Sequence, residues 1–469
     1  MDRVRRALLA LLVLALPLVA VPAQADDVRG AGPGLDTMER RELRLELSAL
    51  DGTQRSRAAA VLARPGQDRQ QCFARVCVHW FASGTDRASQ EYVEQVAETA
   101  EQVLDTYAAA GYRAPLSDGT RGGNGKLDIY LEDLGRQGLY GYCDTDAAPG
   151  TDGPWAVPAY CAFDNDYAEF PSHTPLENLQ VTAAHELFHA VQFAYDYLED
   201  VWFMESTATW AEDEVFDDVD DNVQYLRSSP LRQPGVPLDK DDGLRVYGGW
   251  IFFRYLTERF PEQEGGLPVL VREMWERADG SGAGPDDYSI AAVKNALAAR
   301  GVGLRAAWAE FAAANRQPGR SYAEGRAYPR APLSGTVALS AAKRASGTIT
   351  RVIDHLSAST VRIARAPRMA ARTLRLALDL PRPARGSGAV ATVHRRTGRP
   401  TTIALTPAIT ADGTAVVKVP FDRAVQRVEV TLGNAGVRYR SCWSGTSWSC
   451  QGRPADDDLR FRVRARAVR

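Results

Sequence analysis

Several absences narrow the reading of this 469-residue chain before any motif is considered. Beyond one apolar run, Ala7 to Ala20, no segment approaches the roughly 20 apolar residues that cross a bilayer, so no membrane span is expected. None of the six cysteines stands in the CxxC spacing of a zinc knuckle. Histidine is scarce, with six in all, and neither an internal repeat nor a low-complexity tract is visible.

The apolar run has the form of an export leader. Arg3, Arg5 and Arg6 precede it and Ala23-Gln24-Ala25 follows as a small-x-small cleavage site, so residues 1–25 are expected to be a signal peptide and the mature protein secreted and extracellular. No cysteine after that site offers a lipid attachment, and the end RARAVR offers no hydrophobic tail. In an exported chain, Cys72 with Cys77, Cys143 with Cys161 and Cys442 with Cys450 read most simply as local disulfides.

Charge divides the chain. Residues 333–469 carry 24 Lys+Arg against 8 Asp+Glu, a surplus of +16, which leaves −19 on residues 1–332 of a chain whose total is −3. Three readings of the basic part stand: docking on the acidic part, contact with an anionic cell-surface polymer, or a solvated arginine face. Its patterning is β: Thr373 to Leu380, Val428 to Leu432 and Leu459 to Arg466 alternate apolar and polar residues, as half-buried strands do. With Asp412-Gly413 as a turn, a β-sandwich of about seven to nine strands is expected after a hinge at Pro329 to Leu333.

The acidic part mixes strands with long helices. Val76 to Phe81, Leu127 to Leu131, Gly138 to Tyr142 and Val157 to Phe163 read as strands. Asp86 to Ala110 reads as a helix with Val93, Val96, Ala100, Val103 and Leu104 on one face. A further helix opens at Thr174-Pro175-Leu176-Glu177, a capping box with proline at the first helical position. The charged segment MERRELRLELSAL is helix-like, and residues 26–71 are an N-terminal segment or a propeptide.

The helix begun at Thr174 carries TAAHELFHAVQ. His185 and His189 are separated by about 400° of rotation and about 6 Å of rise, so both imidazoles leave the same face, while Glu186 lies about 100° away, placed to reach a water on a shared ion. Three such groups in an apolar run are costly to bury without a purpose. Zinc suits two imidazoles and a carboxylate with one position open. The third ligand is not in the same helix: Gln192 and Tyr195 stand where a glycine turn and a further ligand would be, and Asp196 lies about 10.5 Å further along. A glutamate from a following helix remains, and WFMESTATWAE supplies Glu205, with small Ala208 three residues on to allow close packing.

HExxH followed by a glutamate in an ExxA setting resembles the gluzincin zinc metallopeptidases. HELFHAVQ with WFMESTATW is similar, more narrowly, to secreted bacterial members with a β-sandwich after the peptidase domain; the specific likeness runs over about Val76 to Pro329. The resemblance implies an α+β fold, with a zincin-like metallopeptidase domain at residues 72–330 and a β-sandwich at 333–469. It implies His185, His189 and Glu205 as zinc ligands, Glu186 as general base and a polypeptide substrate, with no nucleic acid partner. The chain departs from better-known branches at three places: fifteen residues separate His189 from Glu205, fewer than in the thermolysin-like or aminopeptidase-like branches, Thr209 stands where a thermolysin-like enzyme has an aspartate orienting the first histidine, and no GxMxN stretch precedes the helix. Glu199, Glu212 and Glu214 stand as reserve ligands, weighed against an acidic helix surface.

Tyr247, at the start of an apolar helix with Gly248 and Gly249 beside it, is the nominated second donor to a developing oxyanion, weighed against a packed core tyrosine. VPAYCAF is expected to be the edge strand on which an extended substrate pairs. His173 reads as a surface-loop residue and His79 as core. The loop Asp118 to Asp128 has the oxygen ligands and glycines of a calcium site without the EF-hand register. The alternative to an enzyme is a non-catalytic binding protein whose working surface is the basic sandwich.

Overall fold

A computed structural model describes residues 34–147 and 153–469; the expected leader, residues 1–25, lies outside them. Among the described residues the chain is mixed α and β with several sheets, and no helix is long and apolar enough to cross a membrane. Contacts divide it into two compact units, residues 1–221 with 261–286, and residues 222–260 with 287–469.

The first unit begins with α1 (Thr37–Glu46) and α2 (Gly52–Val61), each opened by an aspartate capping box. A five-stranded sheet follows, from β1 (Arg69–Cys72), β2 (Val76–Trp80), β3 (Leu127–Glu132), β4 (Gly141–Asp144) and β5 (Tyr160–Asp164), in the order β1-β2-β3-β5-β4. Strands β2, β3 and β5 run parallel, and β1 and β4 close the edges antiparallel. The expectation that VPAYCAF forms the edge is therefore corrected: β5 is paired on both sides and β4 is the edge. The physical reason is that β5 has ladder partners on both sides, β3 parallel and β4 antiparallel, with β4 drawn onto it by the facing Cys143 and Cys161. Cys143 and Cys161 face each other across β4 and β5, Cys72 and Cys77 across β1 and β2, and both pairs are disulfide-bonded.

Helix α3 (Gln90–Ala109) buries the expected Val93, Val96, Ala100, Val103 and Leu104 and packs on β2 and on α4 (Pro175–Phe193). The capping box of α4 forms as expected, Thr174 with Glu177, a feature worth about 1 kcal/mol. Helix α5 (Val201–Val215) packs along α4. Residues 261–286 add the short β6 (Gln263–Glu264) and β7 (Leu267–Pro268) and the helix α8 (Val269–Arg277).

The second unit contains α6 (Arg245–Gly248), α7 (Trp250–Arg259), α9 (Ile290–Ala299) and α10 (Leu304–Ala314), then a two-layered β structure. One sheet orders β13 (Thr401–Ala404), β12 (Ser387–Arg395), β15 (Val425–Asn434), β10 (Ser357–Arg365) and β8 (Gly335–Leu339). The other orders β14 (Thr414–Pro420), β11 (Thr373–Asp379), β18 (Leu459–Val468) and β9 (Ala345–Ile353). Leu374, Leu376, Leu378, Val428, Val430, Leu432, Phe461 and Val463 share one core between the layers. The third disulfide, Cys442 to Cys450, lies in a loop closed by β16 (Tyr439–Arg440) and β17 (Arg453–Pro454).

Helices of residues 222–260 and 287–330 thus group with the sandwich, whereas composition had put the division at Pro329 to Leu333. Ala309 and Ala313 of α10 pack on Val390 of β12, and the Trp308 indole N–H donates to the Ser357 carbonyl. Strand patterning begins near residue 335, but the apolar contacts that bind the unit begin earlier in the chain.

On the outer face of the four-stranded sheet, Lys418, Arg375 and Arg466 stand directly opposite one another on β14, β11 and β18. Arg460 and Arg464 are exposed on the same face of β18, and Arg462 pairs with Asp379 at 3.0 Å. Like charges in directly opposed positions are destabilising unless something else neutralises them.

Candidate metal centre

Helix α4 sets the first groups. His185 and His189 come one turn apart, with their Nε2 atoms 3.1 Å apart and their rings nearly perpendicular at 79°. Helix α5 brings Glu205 to both: Oε2 lies 3.2 Å from His185 Nε2 and Oε1 lies 3.4 Å from His189 Nε2. Ala208 is fully buried, and a larger side chain there would hold the helices apart. The groups His185, His189 and Glu205 predicted from the sequence therefore meet, with ligand atoms within 4.8 Å of one another.

These distances fit an ion. Four ligands at about 2.05 Å from a tetrahedral zinc lie about 3.3 Å from one another. Two imidazole nitrogens and a carboxylate with the observed 3.1 to 3.4 Å separations are spaced as three corners of such a tetrahedron.

The other ring nitrogens are held in the way ligation requires. His185 Nδ1 lies 2.5 Å from Glu212 Oε1, and His189 Nδ1 lies 2.7 Å from Gln192 Oε1. The amide of Gln192 can point only one way, because its Nε2 donates to the Met204 carbonyl and to Thr207 Oγ1. Its oxygen therefore accepts from His189 Nδ1–H, which leaves the Nε2 lone pair directed at the centre.

Glu212, a reserve ligand in the sequence, is not a ligand here. It is buried and orients His185 instead, the part the resemblance would give to an aspartate at Thr209. Thr209 is buried and its hydroxyl has no hydrogen-bond partner. The signal for Glu212 is its spacing: seven residues after Glu205, two helical turns on, it shares that residue's face. Gln192 carries a similar signal, three residues after His189. Glu199 is buried and accepts from the Asp200 N–H, and neither it nor Glu214 joins the cluster.

The electrostatics favour positive charge at this point. Burial alone would lower the pKa of His185, but the Glu205 and Glu212 carboxylates outweigh it and hold the imidazole well above its usual range. Burial likewise works against ionised Glu205, yet His189 and His185 bring it down to about 2. Glu212 is pushed up to about 7, chiefly by burial. The carboxylates around the two imidazoles suit a cation at this point, and a metal ion would bind there in competition with the proton.

The Glu186 carboxylate is met by the first residue of helix α1. Its Oε2 accepts a hydrogen bond from the Thr37 hydroxyl at 2.8 Å, and the same hydroxyl accepts from the Cys143 N–H of β4 at 2.9 Å. Gly141 makes the approach of β4 to α4 possible: an added Cβ would lie 2.8 Å from Thr182 Cγ2 and 3.3 Å from Glu186 Cγ. Nothing in the sequence marked Thr37 as a neighbour of this site.

Tyr247 belongs to the second unit, where its ring stacks on Tyr225 with centroids 5.0 Å apart. His173 is half-buried with Nε2 3.2 Å from Asp221. His79 is buried, stacked on Tyr130 and 2.7 Å from Asp128, as a core histidine. The carboxylates of the Asp118 to Asp128 loop considered for calcium are met by the Arg64 guanidinium, which pairs with Asp118, Asp128 and Asp146.

No family model matches the chain, and no curated protein matches it. Among solved structures, the insecticidal delta-endotoxin Cry8Ea1 from Bacillus thuringiensis is similar over 26% of this chain and 20% of its own, at 9% identity and a TM-score of 0.12. A family GH115 4-O-methyl-α-glucuronidase, BtGH115A, is similar over 66% of this chain and 46% of its own, at 10% identity and a TM-score of 0.15. The chain thus spans under half the length of either, and likenesses this slight assign neither fold nor activity; the chemistry is argued from the cluster itself.

Proposed function

We propose that the protein is a secreted zinc-dependent endopeptidase in which His185, His189 and Glu205 hold the ion and Glu186 is the general base. The observation that carries the reading is the spacing of three donor atoms at 3.1 to 3.4 Å, supplied by two helices and oriented from behind by Glu212 and Gln192. A zinc ion held by His185, His189 and Glu205 would supply a Lewis acid for a carbonyl and a water acidified toward neutrality. Glu186 takes the proton of the attacking water and returns it to the leaving amine. Its position supports that role, since its carboxylate already faces a hydroxyl held between it and the edge strand. The main chain of β4 offers an extended peptide a strand to pair with.

Glu186→Gln tests the reading. Zinc content measured by atomic emission should stay near one per chain, while chelator-sensitive hydrolysis of casein falls by about 10²- to 10⁴-fold. Undiminished hydrolysis by the variant overturns it.

A second reading, a non-catalytic protein that binds anionic cell-surface polymer, is favoured by one observation. Lys418, Arg375 and Arg466 face one another across three strands, with the Asp379 carboxylate engaged on Arg462. That reading predicts no chelator-sensitive hydrolysis by the wild type.

A further inference from the structure

Helix α1 lies over the candidate site, and it does so through polar chemistry that a substrate could replace. Thr37, Met38, Arg40 and Arg41 are buried although they belong to a ten-residue helix near the start of the described chain. Thr37 engages both the proposed base and the edge strand, with 2.8 Å to Glu186 Oε2 and 2.9 Å from the Cys143 N–H. That N–H is the kind of donor an extended substrate takes from an edge strand.

The next residue of β4, Asp144, is only 1% exposed and carries the rest of the contact. Arg40 Nε donates to it at 3.1 Å, and Arg44 donates through Nε and Nη2, each at 2.9 Å. The Arg40 guanidinium also lies 3.9 Å from the centre of the Tyr142 ring. A carboxylate beside an aromatic face is a receptor for a guanidinium or ammonium group, and here two arginines of the chain itself occupy it. Once α1 leaves, Asp144 is a carboxylate without its arginine partners, one residue from the Cys143 N–H.

We propose that α1 occupies the substrate groove and keeps it closed, and that the groove, through Asp144 and Tyr142, selects peptides with arginine or lysine close to the cleaved bond. The word substrate rests on the peptidase reading above; the groove and its preference for a basic side chain do not. The position follows from geometry: Thr37 to Arg40 is about 4.5 Å of helical rise, equal to one or two residues of extended peptide at about 3.3 Å each.

The full chain can be opened at an exposed turn after α1. Ser48 and Ala49 are exposed between α1 and α2, so a site-specific protease sequence inserted after Ser48 separates α1 from the rest. The probe is a fluorescent hexapeptide containing arginine and its twin with glutamine in that position. After cutting and removal of α1, the arginine peptide should bind at least tenfold tighter than the twin by anisotropy, and Asp144→Asn should erase the difference. In the uncut chain, Arg40→Ala with Arg44→Ala, which leaves the groove intact, should raise binding of the arginine peptide. Equal binding of the two peptides after cutting overturns the proposal, as does binding to uncut wild type as tight as to the cut form. Discrimination without any hydrolysis supports the groove and overturns the peptidase reading instead.

Discussion

At the scale of single residues, the proposed ligands are only half of the site. Glu212 and Gln192 fix the protons of His185 and His189 on Nδ1, so each ring meets the centre with its Nε2 lone pair. Replacing Glu212 by Gln keeps the shape and removes the charge. Zinc affinity, measured by competition with a chromogenic chelator, is expected to fall by about 10- to 100-fold, while far-UV circular dichroism is unchanged. An affinity equal to wild type would remove Glu212 from the site. The pairing of His185 with His189 was legible because a helix places i and i+4 on one face. Thr37 was not, because its contact with Glu186 spans 149 residues and no local period announces it.

At the scale of elements, the centre exists only as far as α4 and α5 approach each other. Ala208 lies fully buried on α5, three residues after Glu205. Ala208→Leu is expected to cost about 1 to 3 kcal/mol through overpacking. It should also move Glu205 away from the imidazoles, so that the purified protein contains less than half an equivalent of zinc while remaining folded by circular dichroism. Full zinc occupancy in that variant would mean that the helices tolerate a wider gap. Strand identity was readable from apolar runs, and β2, β3 and β5 fall where such runs stand. Strand order was not: β4 precedes β5 in the chain but lies outside it in the sheet, because its pairing is decided by a return of the chain and sealed by the Cys143 to Cys161 disulfide.

At the scale of the whole molecule, the second unit is tied together by a buried histidine. His355 Nε2 lies 2.9 Å from Asp239 and Nδ1 lies 2.5 Å from Asp457, while Asp239 also accepts from the Tyr439 hydroxyl and the Ser449 N–H. Burial opposes the charge on His355, but Asp239 and Asp457 outweigh it and push its pKa up to about 9. The proton is therefore held more tightly in the folded chain than in the unfolded one. The stability it contributes is fully present below about pH 6.5 and is lost as pH rises through about 9, a difference on the order of 3 kcal/mol. The gap in denaturation midpoint between wild type and His355→Gln should shrink between pH 6 and pH 10; a constant gap would contradict this assignment.

The charge division acts at the same scale. If the row Lys418, Arg375 and Arg466 meets an anionic polymer, the full chain should be retained on a polyphosphate resin, and retention should fall as salt shortens the screening length to about 10 Å near 0.1 M. Arg375→Glu with Arg466→Glu should elute at markedly lower salt, and unaltered elution would exclude this face.

The sequence by itself determined the local matters: the capped α4 with its two histidines on one face, the buried stripe of α3, the alternating strands of the basic half and the cysteine pairs of near neighbours. Each of these is a period or a short spacing, and a period fixes which side of an element is apolar without reference to the rest of the chain. Tertiary structure alone decided that β4 is the edge, that Glu212 stands behind His185, that helices of residues 222–260 belong with the sandwich, and that α1 covers Glu186. Those are contacts between distant segments, chosen by which apolar faces and buried charges can satisfy one another in three dimensions, and no single stretch of sequence holds both partners.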